Sequence, residues 1–424
     1  MDKLLYKAGT AVATAALVLG SVVPFALADT TVEISGNGSN SDNTANVAVS
    51  NTTVVTQTNQ ADIENNVYVN ANSGNNQAND NTGGDVTVDT GNAEADVNVS
   101  NAANSNQAEV NGCCTGDVTA VISDNGTHSD NDLNLAVASS TYVTQTNNAD
   151  VENNVAVNVD SGNNEANDNT GGNVSIDTGN ATVGSGVTIN NAVNSNVAQV
   201  GNGNGSGSVW IEISGNGSHS DNTANVAVAH TNTITQTNWA DIENNVYVNA
   251  NSGNNQANDN TGGDVEIDTG NADADVNISN LANFNAADVD NCGCLLDLTV
   301  RIKDNGTHSD NDANVALASA LFVIQTNQFS CDEENHEYGG NGEEYYEDGC
   351  NNVSVNSDTG NNDANDNTWG GEPSIDTGNA GADVTVENEV NSNVVGDLDG
   401  IEFPDLDFDT NFSAVLLLLL ALFS

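Results

Sequence analysis

The feature that most constrains this chain is a long repeat present four times, inside which apolar and polar residues alternate with a period of two. The segment Ile34-Ser35-Gly36-Asn37-Gly38 returns in variant form at Ile122, Ile213 and Ile302, at spacings of 88, 91 and 89 residues. Repeats on this scale must each be one structural unit that buries its apolar face against its neighbours. From Ala45 to Ala71 the apolar side chains keep to odd positions (Ala45, Val47, Val49, Val55, Ala61, Ile63, Val67, Val69, Ala71), while even positions are mostly Asn, Asp, Glu and Thr. A helix repeats every 3.6 residues and cannot hold that parity, so the segment is strand, in agreement with its Val-rich composition.

A shorter recurrence runs inside each long repeat. In the first, Ala45, Ala61, Ala78, Ala93 and Ala108 follow one another at about 16 residues, and Ala224, Ala240, Ala257, Ala272 and Ala287 reproduce the series in the third. Reading each unit of about 16 residues as one coil predicts an all-β, β-helix-like solenoid rod, with four long repeats of about 89 residues. Each coil divides into two half-turns, such as Thr44 to Val49 and Thr53 to Thr58 around a Ser50-Asn51 turn. Roughly 23 such coils at about 4.8 Å give a rod on the order of 110 Å. Gln57, Asn59 and Asn65 are the residues expected to form amide ladders between coils. The competing arrangement is one sandwich of antiparallel hairpins per long repeat.

Charge restricts the partners. The chain carries 60 acidic residues against 4 Lys and Arg, a formal net charge of -56. That excludes an electrostatic grip on nucleic acid or on an anionic membrane surface, both of which need clustered cations. Aromatics amount to 4 % and Pro to 3 residues, too few for an ordinary globular core, yet 37 % hydrophobic content exceeds that of a disordered polar chain. At the N-terminus, Lys3 and Lys7 precede an apolar run and the small-residue site Ala26-Leu27-Ala28, the pattern of a cleaved export signal. The expected organisation is a signal peptide over 1–28, repeats over 29–121, 122–212, 213–301 and 302–396, an acidic linker over 397–413 and a short hydrophobic tail over 414–424. The tail is about half a spanning helix, and membrane association, a truncated end and a sticky tail all fit it. The expected location is extracellular, at a cell surface.

The unit Gln57-Thr58-Asn59-Gln60-Ala61-Asp62-Ile63, returning at Gln145 to Val151 and Gln236 to Ile242, resembles the Gln/Asn-Ala strand units of curlin-type, Asn-rich secreted bacterial β-solenoid surface proteins. Those units place a Gly and a longer gap between Gln and Ala. The resemblance implies an extracellular β-solenoid that assembles into fibres within a surface matrix.

Calcium is the cofactor to which the acidic turns point. The candidate ligands are Asp130 and Asp132, Asp310 and Asp312, and the Gly-Gly-Asp turns at Asp85 and Asp264 with their second carboxylates Asp89 and Asp268. Hard cations take six to eight oxygens of the kinds these turns supply. The six cysteines fit an oxidising compartment. Cys331 and Cys350 bracket an insertion present only in the fourth repeat, and a disulfide is expected to close it. The inserted loop holds Tyr338, Tyr345 and Tyr346 among clustered acids, the best candidate for a partner-recognition tip. The pairing of Cys113, Cys114, Cys292 and Cys294 stays open.

Three further patterns read as structural. Asp-Thr-Gly at Asp89, Asp177, Asp268 and Asp376 looks like the aspartic-protease motif, but it recurs with the long repeat and is always followed by Asn. His128, His219 and His308 share one turn and, on a 16-residue coil, lie many coils apart. Thr56-Gln57-Thr58 and its copies are similar to the Thr-x-Thr rows of ice-binding solenoids but recur once per long repeat. No residue set supports a reaction. The expectation is a secreted structural or adhesive repeat protein that self-associates into fibres, the alternative being a monomeric stalk that presents the 331–350 loop to a glycan or protein.

Overall fold

The computed structural model describes residues 10–14, 17–22, 30–110, 117–201, 208–289, 298–331, 350–368 and 370–396. Every regular element among them is a strand. β1 (Thr10–Thr14) and β2 (Leu17–Val22) precede four coils. The first coil holds β3 (Thr30–Ser35), β4 (Asp42–Asn72), β5 (Val86–Asp89) and β6 (Ala93–Val110). The second holds β7 (Val118–Ser123), β8 (Asp130–Asp160), β9 (Val174–Asp177) and β10 (Ala181–Val200). The third holds β11 (Val209–Ser214), β12 (Asp221–Asn251), β13 (Val265–Asp268) and β14 (Ala272–Val289). The fourth holds β15 (Leu298–Lys303), β16 (Asp310–Ser330), β17 (Asn351–Asp358), β18 (Ser374–Asp376) and β19 (Ala380–Val395).

Equivalent strands of successive coils pair in parallel: β4, β8, β12 and β16 form one sheet, β6, β10, β14 and β19 another, and the two short-strand sets form the remaining sheets. The all-β solenoid built from four repeats of about 89 residues therefore forms, and its stacking unit is the long repeat. Asp42 pairs with Asp130, and Asp130 with Asp221, residue for residue through the whole of β4, β8 and β12. The 16-residue coil is corrected by this register. Ala45 and Ala61 lie on the same strand, Ala78 in the following loop, and Ala93 and Ala108 on β6, so the shorter recurrence measures positions around one coil. No turn occurs at Ser50-Asn51. Inward parity passes through that point unbroken, and a strand that never changes parity has no reason to turn there. The stack is consequently four coils, about 19 Å at the interstrand spacing, while β4 alone reaches on the order of 100 Å along its own axis. Parallel pairing throughout the described sheets also removes the antiparallel-hairpin arrangement.

Within a coil, β4 runs first against β3 and then, in the opposite direction, against β6, as the core clusters show. Ala45 and Val47 pack with Val118, Ala120 and Ile122. Val55 packs with Ala108 and Val110, Ala61 and Ile63 with Ala103, and Ala71 with Ala93, Ala95, Val97 and Val99. A separate small cluster around Val86, Val88 and Ala78 fills the far end. Small residues suffice because the two sheets are close and each side chain is covered above and below by its own copies.

Between these apolar patches the core is crossed by amide ladders. Gln145 donates to Gln57 (2.8 Å), Gln236 to Gln145 (2.8 Å) and Gln325 to Gln236 (2.8 Å). Asn59 donates to Asn147 (3.1 Å), Asn147 to Asn238 (3.0 Å) and Asn238 to Asn327 (3.0 Å). Asn65, Asn153, Asn244 and Asn351 make a third ladder. The expected ladder residues are thus the observed ones, with rungs a full long repeat apart. Each amide has a donor and an acceptor, so it satisfies one neighbour above and one below, which is what lets a polar group lie buried without penalty. Kinks within strands are columnar too: Asn104, Asn194, Asn283 and Asn391, inside β6, β10, β14 and β19, all take φ between 60 and 64°, a left-handed conformation that Asn tolerates better than most residues.

Candidate functional site

Stacking at about 4.8 Å turns every outward acidic residue that recurs in the repeat into a column of carboxylates. Asp130 lies between Asp42 and Asp221, with Asp310 following, and Asp132 stands two residues along beside Thr44 and Thr223, in line with Asp312. Burial, then Asp132, Asp221 and Asp42, hold the Asp130 carboxyl above its ordinary value. Asp89, Asp177, Asp268 and Asp376 form another column. Asp85 and Asp264 are not joined to it. Asp85 accepts from the backbone N–H of Asn173 (2.8 Å), and Asp264 accepts from that of Gly371 (3.0 Å). They are coil-to-coil turn contacts separated by Asn173. Among the described residues no group of three or more His, Cys, Asp or Glu has the geometry to hold a metal ion. Of the candidate calcium residues, Asp130 and Asp310, and Asp89 and Asp268, stand in carboxylate columns, whereas Asp132 and Asp312 are separated by Thr223, and Asp85 and Asp264 by Asn173.

Two columns were missed from sequence. Asp62, Asp150 and Asp241 line up beside Glu64, Glu152 and Glu243 on the outward side of the central sheet. Burial first, then Asp62, Glu152 and Glu243, raise the Asp150 carboxyl. The signal was present, since Ala-Asp-Ile/Val-Glu occupies the same place in three repeats, but it has spatial meaning only once the long repeat is taken as the coil. The long-repeat register also brings the histidines together. His128 and His219 stack with ring centroids 4.9 Å apart, and His219 and His308 at 5.1 Å. The expectation that they lie many coils apart is corrected by the register of their strands. Thr58, Thr146, Thr237 and Thr326 likewise align, beside a Thr56, Thr144 and Thr235 column that ends at Ile324. In the Asp-Thr-Gly turns the threonine hydroxyl is structural: Thr90 Oγ1 donates to Ser161 O (3.2 Å) and accepts from Gly179 N (3.0 Å).

Cys331 and Cys350 stand at disulfide distance, with Cα atoms 4.7 Å apart. They close the insertion between β16 and β17, which pair with consecutive parts of the single strand β12, and Cys350 O accepts from Asn244 N (2.8 Å). Tyr338, Tyr345 and Tyr346 lie outside the described residues, as do Cys113, Cys114, Cys292, Cys294 and the hydrophobic tail. The two described cations sit on β15: Lys303 pairs with Glu212 (3.3 Å), and Arg301 lies 5.2 Å from the Trp210 ring.

The raised carboxyls fix a pH dependence. Asp130, Asp150, Asp160 and Asp275 all titrate above the value 3.8 of a free carboxyl. The folded state then binds protons more readily than the unfolded chain. Stability from these groups is full below about pH 3.8 and is lost as pH rises through their folded values. Burial pushes His230 below the usual 6.5, which acts oppositely and removes stability as pH falls below that value. The expected result is a higher Tm at about pH 4.5 than at pH 7, with the gain enlarged in His230→Gln and reduced by salt, measured by thermal melts monitored by circular dichroism.

Comparison with protein-family models, curated protein sequences and solved structures finds no match to this chain.

Proposed function

We propose that this chain is a secreted structural and adhesive component of a cell surface or extracellular matrix, and that it self-associates into fibres. The observation that supports this reading is the state of the fourth coil. Val226 and Val228, inward in the third coil, are 3 % and 9 % exposed, whereas their fourth-coil partners Val315 and Leu317 are 48 % and 56 % exposed. Val384 and Val386 on β19 are open in the same way. A solenoid that acts alone closes its last coil with polar residues. Among the described residues this one presents apolar core positions on its fourth coil and no strand paired to that coil's outer edge, a template for further pairing.

The carboxylate columns oppose association at low salt, and calcium or another divalent cation lying along them would relieve that repulsion. The test is negative-stain electron microscopy of the exported protein with millimolar calcium and with chelator. Fibres are expected, more abundant with calcium; separate particles in every condition overturn the reading. A second reading, display of the 331–350 loop to a glycan or protein, is favoured by the closure of that insertion at Cys331 and Cys350.

A further inference from the structure

We propose that the chain stacks head to tail on a second copy of itself, the fourth coil of one molecule against the first coil of the next, in the register that joins coils within the molecule. The inference rests on the self-association reading and specifies its interface.

Three independent observations carry it. The first is a pair of glycines that the isolated molecule does not require. A Cβ on Gly162 would stand 2.0 Å from Gly253 O, and one on Gly253 would stand 2.1 Å from Gly360 O, so inside the stack this position must be Gly. At Gly360 the same Cβ points out of the last coil and meets only Asp358 Oδ1 at 3.4 Å. The opposite face repeats the pattern. Cβ atoms on Gly126, Gly217 and Gly306 would lie 2.3 to 2.5 Å from backbone of the preceding coil, whereas one on Gly38 meets nothing within 4 Å. Neither Gly38 nor Gly360 has positive φ. Both ends thus keep a residue whose reason appears only when another coil is present.

The second is the direction of the inner ladders, each of which is polar: the Asn ladders donate from one coil to the next, and the Gln57 ladder donates the opposite way. Asn104 donates to Asn194 (3.0 Å), Asn194 to Asn283 (2.9 Å) and Asn283 to Asn391 (3.0 Å). The ladders starting at Asn59, Asn65, Asn101 and Asn106 run the same way. The first rung therefore lacks a donor from a preceding coil: Asn104 is 1 % exposed and its Oδ1 has no partner. Asn391 is the last rung among the described residues. Asn391 Nδ2 of one copy supplies what Asn104 Oδ1 of the next lacks. Two first coils face to face would oppose carbonyl to carbonyl, so the amides permit only the polar arrangement.

The third is that the first-coil edge already accepts strands in this register. β1 and β2 pair in parallel with β6, Thr10 opposite Asn98 and Leu17 opposite Ser105. These are the places that Thr385 and Ser392 hold opposite Asn277 and Phe284 one interface earlier. The segment read as an export signal thus covers part of the surface that a neighbour's β19 would use, and its removal would expose it.

The experiment compares the exported protein with Gly360→Ala and Gly38→Ala at about 0.5 M salt, following elongation by light scattering and electron microscopy, with circular dichroism as the check on folding. Wild type is expected to form filaments with an axial rise of about 19 Å per molecule, four interstrand spacings. Each variant is expected to keep the wild-type spectrum and Tm while elongating at least tenfold more slowly. Gly360→Ala retains a sound first coil, so added at a few per cent it should cap wild-type filaments and shorten them. Wild-type-like filaments from both folded variants would overturn this interface and leave self-association standing. Absence of filaments from wild type under all conditions would overturn both. If one variant misfolds, the other reports on the same interface from its opposite face.

Discussion

Gly162→Ala is expected to abolish the native fold or to destabilise it by more than about 4 kcal/mol, at the extreme of single substitutions. The added methyl would sit 2.0 Å from Gly253 O and 2.8 Å from Ser252 C. These are backbone atoms of the next coil, which cannot swing aside as a flexible side chain can. The corner is also pinned by hydrogen bonds: Gly162 N donates to Asp160 Oδ1 (3.0 Å), and Asn163 N donates to Gly253 O (2.9 Å). Relief would require separating two coils, which breaks the ladder on either side. The measurement is chemical denaturation followed by circular dichroism; a midpoint within experimental error of wild type would refute the close stacking of the coils at this corner.

The second large effect is expected at Asn147. It is 1 % exposed and donates to Asn196 Oδ1 (2.9 Å) and Asn238 Oδ1 (3.0 Å) while accepting from Asn59 (3.1 Å) and Asn106 (2.9 Å). It therefore knits two ladders, one on each sheet, and ties three successive coils together. Replacing it by the near-isosteric Leu leaves the buried amides of Asn59 and Asn106 each one partner short. The expected cost is about 3 kcal/mol, more than one average hydrogen bond because the loss falls within a connected, water-free network. Asn158 provides the contrast. It is half-exposed and stands in a ladder with Asn70 (3.0 Å) and Asn249 (2.8 Å), where water can replace what is lost, so Asn158→Leu should cost no more than about 1 kcal/mol. Equal effects at the two positions in denaturant titrations would show that the inner ladders carry no special share of stability.

Much of this architecture can be read from period and parity. The alternation from Ala45 to Ala71 identifies the strand, its inward face and the ladder residues Gln57, Asn59 and Asn65. The coil length is harder, because Ala45 and Ala61 recur at about 16 residues along one strand and imitate a repeat. Unbroken parity across Ser50-Asn51 is the counter-signal, since a coil of 16 residues needs a turn there and a turn rarely preserves phase. The mis-sized coil hid every column at once: the histidine stack, the paired Asp62 and Glu64 rows, and the alignment of Asp130 with Asp221. None of these can be recognised from local motifs, because their members lie about 90 residues apart and meet only through register. Asp85 and Asp264 were legible as turn residues but not as acceptors for the neighbouring coil, a role set by geometry between coils.

The proportions of the coil have a mechanical consequence. Each coil is two sheets about 10 Å apart and on the order of 100 Å across, so a column of such coils is a tape. Resistance to bending grows steeply with depth in the plane of the bend, and such a tape yields far more readily across its thin dimension than edge-on. It can follow a curved path in its thin direction, with acidic residues along both broad faces, while resisting deflection sideways.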